Sequence, residues 1–152
     1  MPYNSIVVVR EAWDTRDLLP NVVTETGQLN DGVLSRRFEP EDLNALEEAL
    51  AIRDAHGGTI TVVTMGAPAA AEILRESLCR GADRAVLLTD RRAAASDTLA
   101  TSYILSCAVR KLEADLVFCG RQAIDGDTAQ VGPQLAEKLG CTLVTYLESL
   151  EA

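Results

Sequence analysis

Five short apolar runs punctuate the chain without alternating: Ile6-Val7-Val8-Val9, Ile60-Thr61-Val62-Val63, Ala85-Val86-Leu87-Leu88, Leu116-Val117-Phe118-Cys119 and Leu143-Val144-Thr145-Tyr146. Runs of this kind suit strands covered on both faces, as in a parallel sheet. The stretches between them carry apolar residues at spacings of three and four. Leu43, Leu46 and Leu50 precede a Gly57-Gly58 stop. Ile73, Leu74 and Leu78 precede Gly81. Ala100, Ile104, Ala108 and Leu112 step by four, and Val131, Leu135 and Leu139 do so before Gly140. These are helix signals with glycine at the exits. The alternation predicts an α/β fold: an open five-stranded parallel sheet, right-handed crossovers and helices on both faces. Residues 11–39 are less regular, and a short hairpin is expected through Thr24–Val33, turning at Asn30-Asp31-Gly32. A long excursion after a first strand often builds a binding site.

Length and composition narrow the function. At 152 residues, 47% hydrophobic and 24% charged, the chain is one ordinary globular domain. Its formal charge of −9 leaves no basic surface for non-specific nucleic-acid or anionic-membrane binding. A bound nucleotide remains compatible, because backbone N–H groups hold phosphate without net positive charge. No apolar run approaches the ~20 residues of a membrane span. The opening MPYNSIVVVR runs straight into a strand with no basic leader, so a cytoplasmic protein is expected. Cys79, Cys107, Cys119 and Cys141 are scattered, with no CxxC and a single histidine, His56. Four buried thiols in a reducing compartment are expected rather than a metal or redox site.

Ligands of open α/β sheets bind beyond the carboxyl ends of the strands. The most informative such segment is Gly120–Gln134, with sequence GRQAIDGDTAQVGPQ. Asp127 or Thr128 can cap the following helix. Ala129 and Gly132 are small enough for a ligand to approach the backbone, and the free N–H groups there suit a phosphate. A capped helix with no ligand is the alternative. There is no GxGxxG and no GxxxxGK[ST]. Ser96 or Asp97 is expected to cap the third helix, with Thr98, Thr101 and Ser102 on one face of its first turns. Arg91-Arg92 is either a surface loop or a phosphate or flavin contact. His56 is placed at a helix end, Glu47-Glu48 on a solvated face. No acid–base catalyst is expected, because triad and metal mechanisms lack parts.

The same segment resembles the nucleotide-binding segment of electron transfer flavoprotein β subunits. Ala45-Leu46-Glu47-Glu48-Ala49, Gly81-Ala82-Asp83-Arg84-Ala85 and Asp97-Thr98-Leu99-Ala100-Thr101-Ser102 extend the likeness in order over almost the whole chain. The resemblance implies an adenine-nucleotide α-hydrolase-like (Rossmann-like) domain over residues 1–152. Members continue into a segment that contacts the α subunit, and this chain stops before it. The implied cofactor is FAD, with AMP as the alternative. The implied binding residues are Val8, Glu39, Pro40, Glu41, Asp42 and Met65 around the adenosine, and Ala123, Ile124, Asp125, Gly126, Asp127, Thr128, Ala129, Gln130, Val131, Gly132, Pro133 and Gln134 at the phosphates. Asp97, Thr98 and Thr101 are implied at the flavin half, as in electron-bifurcating members. The implied function is electron transfer between NADH or acyl-CoA dehydrogenases and a downstream acceptor. The implied partners are an α subunit, forming a heterodimer, and an acyl-CoA dehydrogenase or quinone-reductase-type protein. NADH-dependent flavin reduction follows if the chain belongs to the bifurcating type. A regulatory module that binds ATP or AMP without redox chemistry is the other reading. The chain departs from the family at Glu39-Pro40, where Asn-Pro is usual, at Trp13 before Asp14-Thr15, where proline is usual, and at Ala93-Ala94-Ala95, where bifurcating members carry Phe-Ala-Gly.

Overall fold

A computed structural model describes residues 1–14, 16, 22–27, 30, 33–123 and 126–150. Four parallel strands form the main sheet: β1 (Tyr3–Val8), β4 (Gly58–Met65), β5 (Arg84–Leu88) and β6 (Leu116–Cys119), in the order β5-β4-β1-β6. Val7 is in register with Val62 on one side and Phe118 on the other. The helices are α1 (Pro40–His56), α2 (Ala71–Cys79), α3 (Thr98–Leu112) and α4 (Val131–Leu139). Strand side chains alternate between the two faces. Val7, Val9, Ile60 and Val62 meet Leu46 and Ala49 of α1 and Ile73 and Leu74 of α2. Ile6 and Val63 meet Leu105 and Val109 of α3 and Leu135 of α4. Complete burial of side chains such as Leu46 and Leu135 stabilises the fold by ~1.5–3 kcal/mol each.

The sheet has one strand fewer than the pattern predicts. Leu143-Val144-Thr145-Tyr146 lies outside it as irregular chain, with Val144 68% and Tyr146 78% exposed. Tyr146 adopts a left-handed backbone (φ 54°), which breaks an extended ladder. The thiols also differ from expectation. Cys79, Cys107 and Cys141 are exposed and Cys119 is half-buried, because the first two occupy outward faces of α2 and α3. On α3 the buried stripe is Ser102, Leu105, Ser106 and Val109 rather than the Ala100–Leu112 series. The buried hydroxyls find acceptors in the preceding turn, Ser102 Oγ at 2.9 Å from Leu99 O and Ser106 Oγ at 2.7 Å from Tyr103 O.

A second, two-stranded antiparallel sheet joins β2 (Glu11–Trp13) to β3 (Arg36–Phe38). The Arg36 guanidinium pairs with Glu11 Oε2 at 2.7 Å and lies 4.3 Å above the Trp13 ring. This ribbon stands beside the carboxyl end of β1 and leads directly into α1. In the excursion, Gly27 N–H donates to Thr24 O and Asn30 N–H to Val22 O (both 2.9 Å), so a turn forms at Thr24–Gly27. Asp31 and Gly32 of the expected turn lie outside the described residues. At the other end of the sheet, His56 closes α1 with its ring 5.9 Å from Tyr3, remote from the strand carboxyl ends.

Candidate functional site

The carboxyl ends of β1, β4 and β6 open into a crevice of about 530 Å³, a size typical of small-molecule sites. One wall is organised by the first turn of α1. Asp42 is buried there, and its carboxylate accepts from the N–H of Arg10 through Oδ2 (2.9 Å) and from the N–H of Gly120 through Oδ1 (3.1 Å). It therefore ties the ends of β1 and β6 together. Glu41, one residue earlier, accepts from Gln122 N–H (2.6 Å) and pairs with Arg121 (3.3 Å). Gly120 leaves the room this latch needs, since a Cβ there would stand 2.3 Å from Asp42 Oδ1.

Burial pushes the Asp42 carboxyl up to about 7, against the opposing pull of the Arg10 and Gly120 N–H groups. The folded protein thus holds a proton at this site over a pH range where the unfolded chain has already lost it. Unfolding free energy is expected to rise as pH falls from 8 towards 5, by at most ~1.4 kcal/mol per pH unit from this group. The rise ends near the ordinary carboxyl value of 3.8. Asp42→Asn should lose that component. It should also cost ~1–3 kcal/mol at pH 8, because an amide can accept from only one of the two N–H donors. Urea titrations of both proteins across this range check the prediction.

The facing wall is the segment before α4. Asp127 (φ 49°) and Ala129 (φ 52°) both hold left-handed backbone, an uncommon state for non-glycine residues that clusters at functional sites. The helix starts later than the sequence suggests. Gln130, rather than Asp127 or Thr128, occupies the cap position, and it makes no side-chain cap bond. With Asp127 and Ala129 turned left-handed, right-handed helical dihedrals begin only at Gln130 (φ −98°, ψ −26°), which therefore lacks the extended backbone of a side-chain cap. The N–H groups of Val131 and Gly132 have no carbonyl four residues back in the helix, and Pro133 has no N–H to satisfy. The start of α4 therefore presents unpaired donors and the positive end of its dipole to the crevice. Asp127 is held from behind by Gln122, whose Nε2 donates to its backbone carbonyl at 3.0 Å.

Two helix starts are joined across the same opening. Gln134 Nε2 donates to Thr98 Oγ1 (3.3 Å), and Thr98 Oγ1 donates to Gln130 Oε1 (3.1 Å). Ser102 Oγ lies 3.1 Å from Gln134 Oε1. Asp97 caps α3, accepting from Ala100 N–H at 2.8 Å. Arg92 turns back onto Asp90 (2.7 Å) and is exposed, and the pairing holds the Asp90 carboxyl down at about 2. Neither Arg91 nor Arg92 lines the crevice.

Of the residues singled out from the sequence, the crevice is lined by Val8, Glu39, Asp42, Met65, Thr98, Thr101, Ala123 and Gly126 through Gly132. Pro40, Glu41, Asp97, Pro133 and Gln134 do not line it. Glu41, Asp97 and Gln134 hold the elements that form it. Ile124 and Asp125 lie outside the described residues. Sequence reasoning passed over Thr64 and gave Glu11 no role of its own, although it follows the first strand. Thr64 looks like one more strand residue, and Glu11 lies on a strand only three residues long. Among the described residues, four buried side-chain atoms lack a hydrogen-bond partner, and three of them belong to crevice residues: Glu39 Oε2, Glu11 Oε1 and Thr64 Oγ1. Buried polar atoms are normally paired, so this concentration leaves hydrogen-bonding capacity open beside the crevice. Cys119 lines the crevice too, but burial pushes its thiol up to about 12, and it stays protonated.

The chain is similar to known proteins over most of its length. A family model described as "Electron transfer flavoprotein domain" matches residues 26–152. The electron transfer flavoprotein subunit beta of Thermoanaerobacterium thermosaccharolyticum is 51% identical over 97% of this chain and 56% of its own length. Protein FixA of Azorhizobium caulinodans is 50% identical over 95% of this chain and 53% of its own. The acryloyl-CoA reductase electron transfer subunit gamma of Anaerotignum propionicum is 47% identical over 92% and 53%. The chain spans about half the length of the curated relatives it matches. With more than half of its residues inside the family's domain, and with a parallel α/β sheet to match, the chain belongs to the electron transfer flavoprotein family.

Proposed function

We propose that the crevice binds an adenine nucleotide, FAD with AMP as the alternative, and that the chain serves as a β-type subunit in electron transfer. The observation that carries this reading is the pairing of two features across one opening. Unpaired backbone donors at the start of α4 face the crevice on one side. Buried polar atoms without partners face it on the other. The first suits phosphate, and the second suits the hydroxyl and amine donors of a nucleoside. Thr98 and Thr101, on the same opening, extend the polar lining towards α3, which supports a ligand longer than AMP.

A bound flavin supplies the redox chemistry. The chain's own residues bind and orient. Val131 and Gly132 N–H groups hold the phosphate, Met65 and Val8 offer apolar contact, and the Asp42 latch keeps the walls at a fixed spacing. The names of the relatives support an α-type partner subunit in a heterodimer and a CoA-linked redox protein as the electron donor or acceptor. No helix among the described residues is long and apolar enough to cross a membrane, and we assign the protein to the cytoplasm as part of this reading.

Denaturing the purified protein and identifying the released ligand by absorbance and mass tests the proposal. Flavin or AMP is expected, and ATP alone would favour a regulatory nucleotide-binding module instead. The cradle has its own test. Ala129→Gly should leave affinity intact and stability unchanged or raised by ~0.5–1 kcal/mol, because glycine adopts the left-handed state freely. Ala129→Val should weaken AMP binding by about tenfold, because a β-branched residue resists that state. Equal affinity in the two variants would remove the cradle from the argument.

A further inference from the structure

We propose that the outer face of α3 is a dimerisation surface, on which a second copy of this chain packs its own α3 antiparallel about an axis near Tyr103. The helix reverses the usual arrangement of a surface element. Its inward stripe holds Ser102 and Ser106 beside Leu105 and Val109, while Leu99 (58% exposed), Tyr103 (62% exposed) and Cys107 lie open to solvent. Spacings of four set these last three in one row. Ala100, Ile104 and Ala108, all half-buried, form the row beside it. From Thr98 to Val109 the helix carries no charged residue. The other helices do present charge to water: Glu47 and Asp54 on α1, Glu72 and Arg75 on α2, and Glu137 on α4 are exposed. A helix without charge on any side is ordinarily covered on every side, and a contiguous exposed apolar face marks an interaction surface.

The charges at the two ends of α3 point to the occupant. Asp97 stands exposed at its start, and Arg110 and Lys111 stand exposed at its close. The row through Leu99, Tyr103 and Cys107 lies midway between them. An antiparallel second copy centred on Tyr103 sets Leu99 against the second copy's Cys107, and Tyr103 against its own equivalent. It brings Lys111 within about one helical turn of the second copy's Asp97, and opposite ends of the helix dipoles meet. A parallel pairing would instead stack Lys111 on Lys111 and Asp97 on Asp97. Self-complementarity of this kind is what a twofold contact requires. Tyr103, Cys107 and Lys111 do not line the crevice, so the surface is separate from the nucleotide reading and does not rest on it. The face is small, and a dissociation constant of roughly 1–100 μM is expected.

Sedimentation velocity of the whole chain from ~1 μM to ~1 mM tests this. A monomer–dimer equilibrium is expected in that range. Tyr103→Glu should weaken it by at least about tenfold, with an unchanged urea midpoint because the side chain is exposed. Lys111→Glu should weaken it by about threefold or more. Arg75→Glu, on the opposite side of the sheet, should leave it unchanged. Oxidised glutathione reads the geometry of the pair. With Cys79, Cys107 and Cys141 replaced by serine, Tyr103→Cys should give a disulfide-linked dimer. Wild-type Cys107, left as the one exposed thiol, should not link, because antiparallel copies hold the two sulfurs ~12 Å apart along the helix. Ready linkage through Cys107 overturns the antiparallel pairing. A chain still monomeric at ~1 mM overturns the inference, as does a dimer that both Tyr103→Glu and Lys111→Glu leave intact. If Tyr103→Glu does not fold, Lys111→Glu and the Tyr103→Cys cross-link decide. A chain that is monomeric alone, but whose Cys107 an α-type subunit shields from alkylation while Cys79 stays reactive, gives the face to a different partner and also overturns the inference.

Discussion

Gly58→Ala is expected to abolish folding at ordinary temperature. Gly58 opens β4 with φ 118°, and an ideal Cβ there would sit 1.9 Å from Tyr3 O and 2.6 Å from Tyr3 N. Those atoms belong to the backbone of β1, in register with Gly58 itself. No rotamer change relieves the clash. Either the strands separate at the start of the ladder, or the chain leaves a conformation that L-residues avoid. We expect a loss of ~4 kcal/mol or more, a large share of the stability of a domain this size. Gly126→Ala is the control. Nothing lies within 4 Å of its Cβ position, and the substitution should move stability by under ~0.5 kcal/mol. Thermal and urea melts of the three proteins give the comparison, and a folded Gly58→Ala protein with a wild-type midpoint would contradict the β1–β4 geometry.

Gly120→Ala is expected to leave a folded protein with a damaged site. Its added Cβ would stand 2.3 Å from Asp42 Oδ1, 3.0 Å from Asp42 N and 3.1 Å from Glu41 C. The carboxylate oxygen could swing away alone, but the two backbone atoms cannot, so the 120–122 segment must shift off α1. Overpacking of this kind costs ~1–3 kcal/mol, and the N–H of Gly120 loses its acceptor, a further ~1–3 kcal/mol. The larger consequence is for the ligand. The displaced segment carries Gln122, which braces Asp127 from behind, so nucleotide affinity should fall at least tenfold more than stability alone explains. Measuring AMP affinity and the urea midpoint on the same preparation separates the two effects. A variant that binds as the wild type does would show that the latch and the cradle are independent.

The main architecture was legible because its signals are large and local. Ile60-Thr61-Val62-Val63 is apolar on both faces, and β4 is indeed covered by helices on both. Glycine at 57 and 140 ends α1 and α4 in non-helical, positive-φ backbone, as the exits suggested. Other features escaped for physical reasons. β2 and β3 are three residues each and carry Glu11, Arg36 and Arg37, so neither periodicity nor hydrophobicity marks them. Ser102 reads as part of a polar face with Thr98 and Thr101, yet its hydroxyl, like that of Ser106, bonds within the helix and both residues face the core. Leu143–Tyr146 has the composition of a strand, but composition does not supply a pairing partner. At the site, strand ends and the Gly120–Gln134 segment could be located from pattern and resemblance. The left-handed turn at Ala129 could not, because alanine carries no such preference. Nor could the unpartnered oxygen of Glu39, which exists only once distant segments surround it.

The Asp42 latch gives assembly a timetable. Its bond to Gly120 spans 78 positions along the chain, and contacts between such distant residues close late in folding. A chain emerging from the ribosome can build α1 and the first strands long before Gly120 exists. During that interval the crevice has only one wall. If the crevice holds a nucleotide, as proposed above, loading waits until β6 has docked, and the bound nucleotide then favours the folded chain by mass action. Abundance of the mature protein should accordingly follow cofactor supply, with chains made during shortage remaining exposed to proteases for longer.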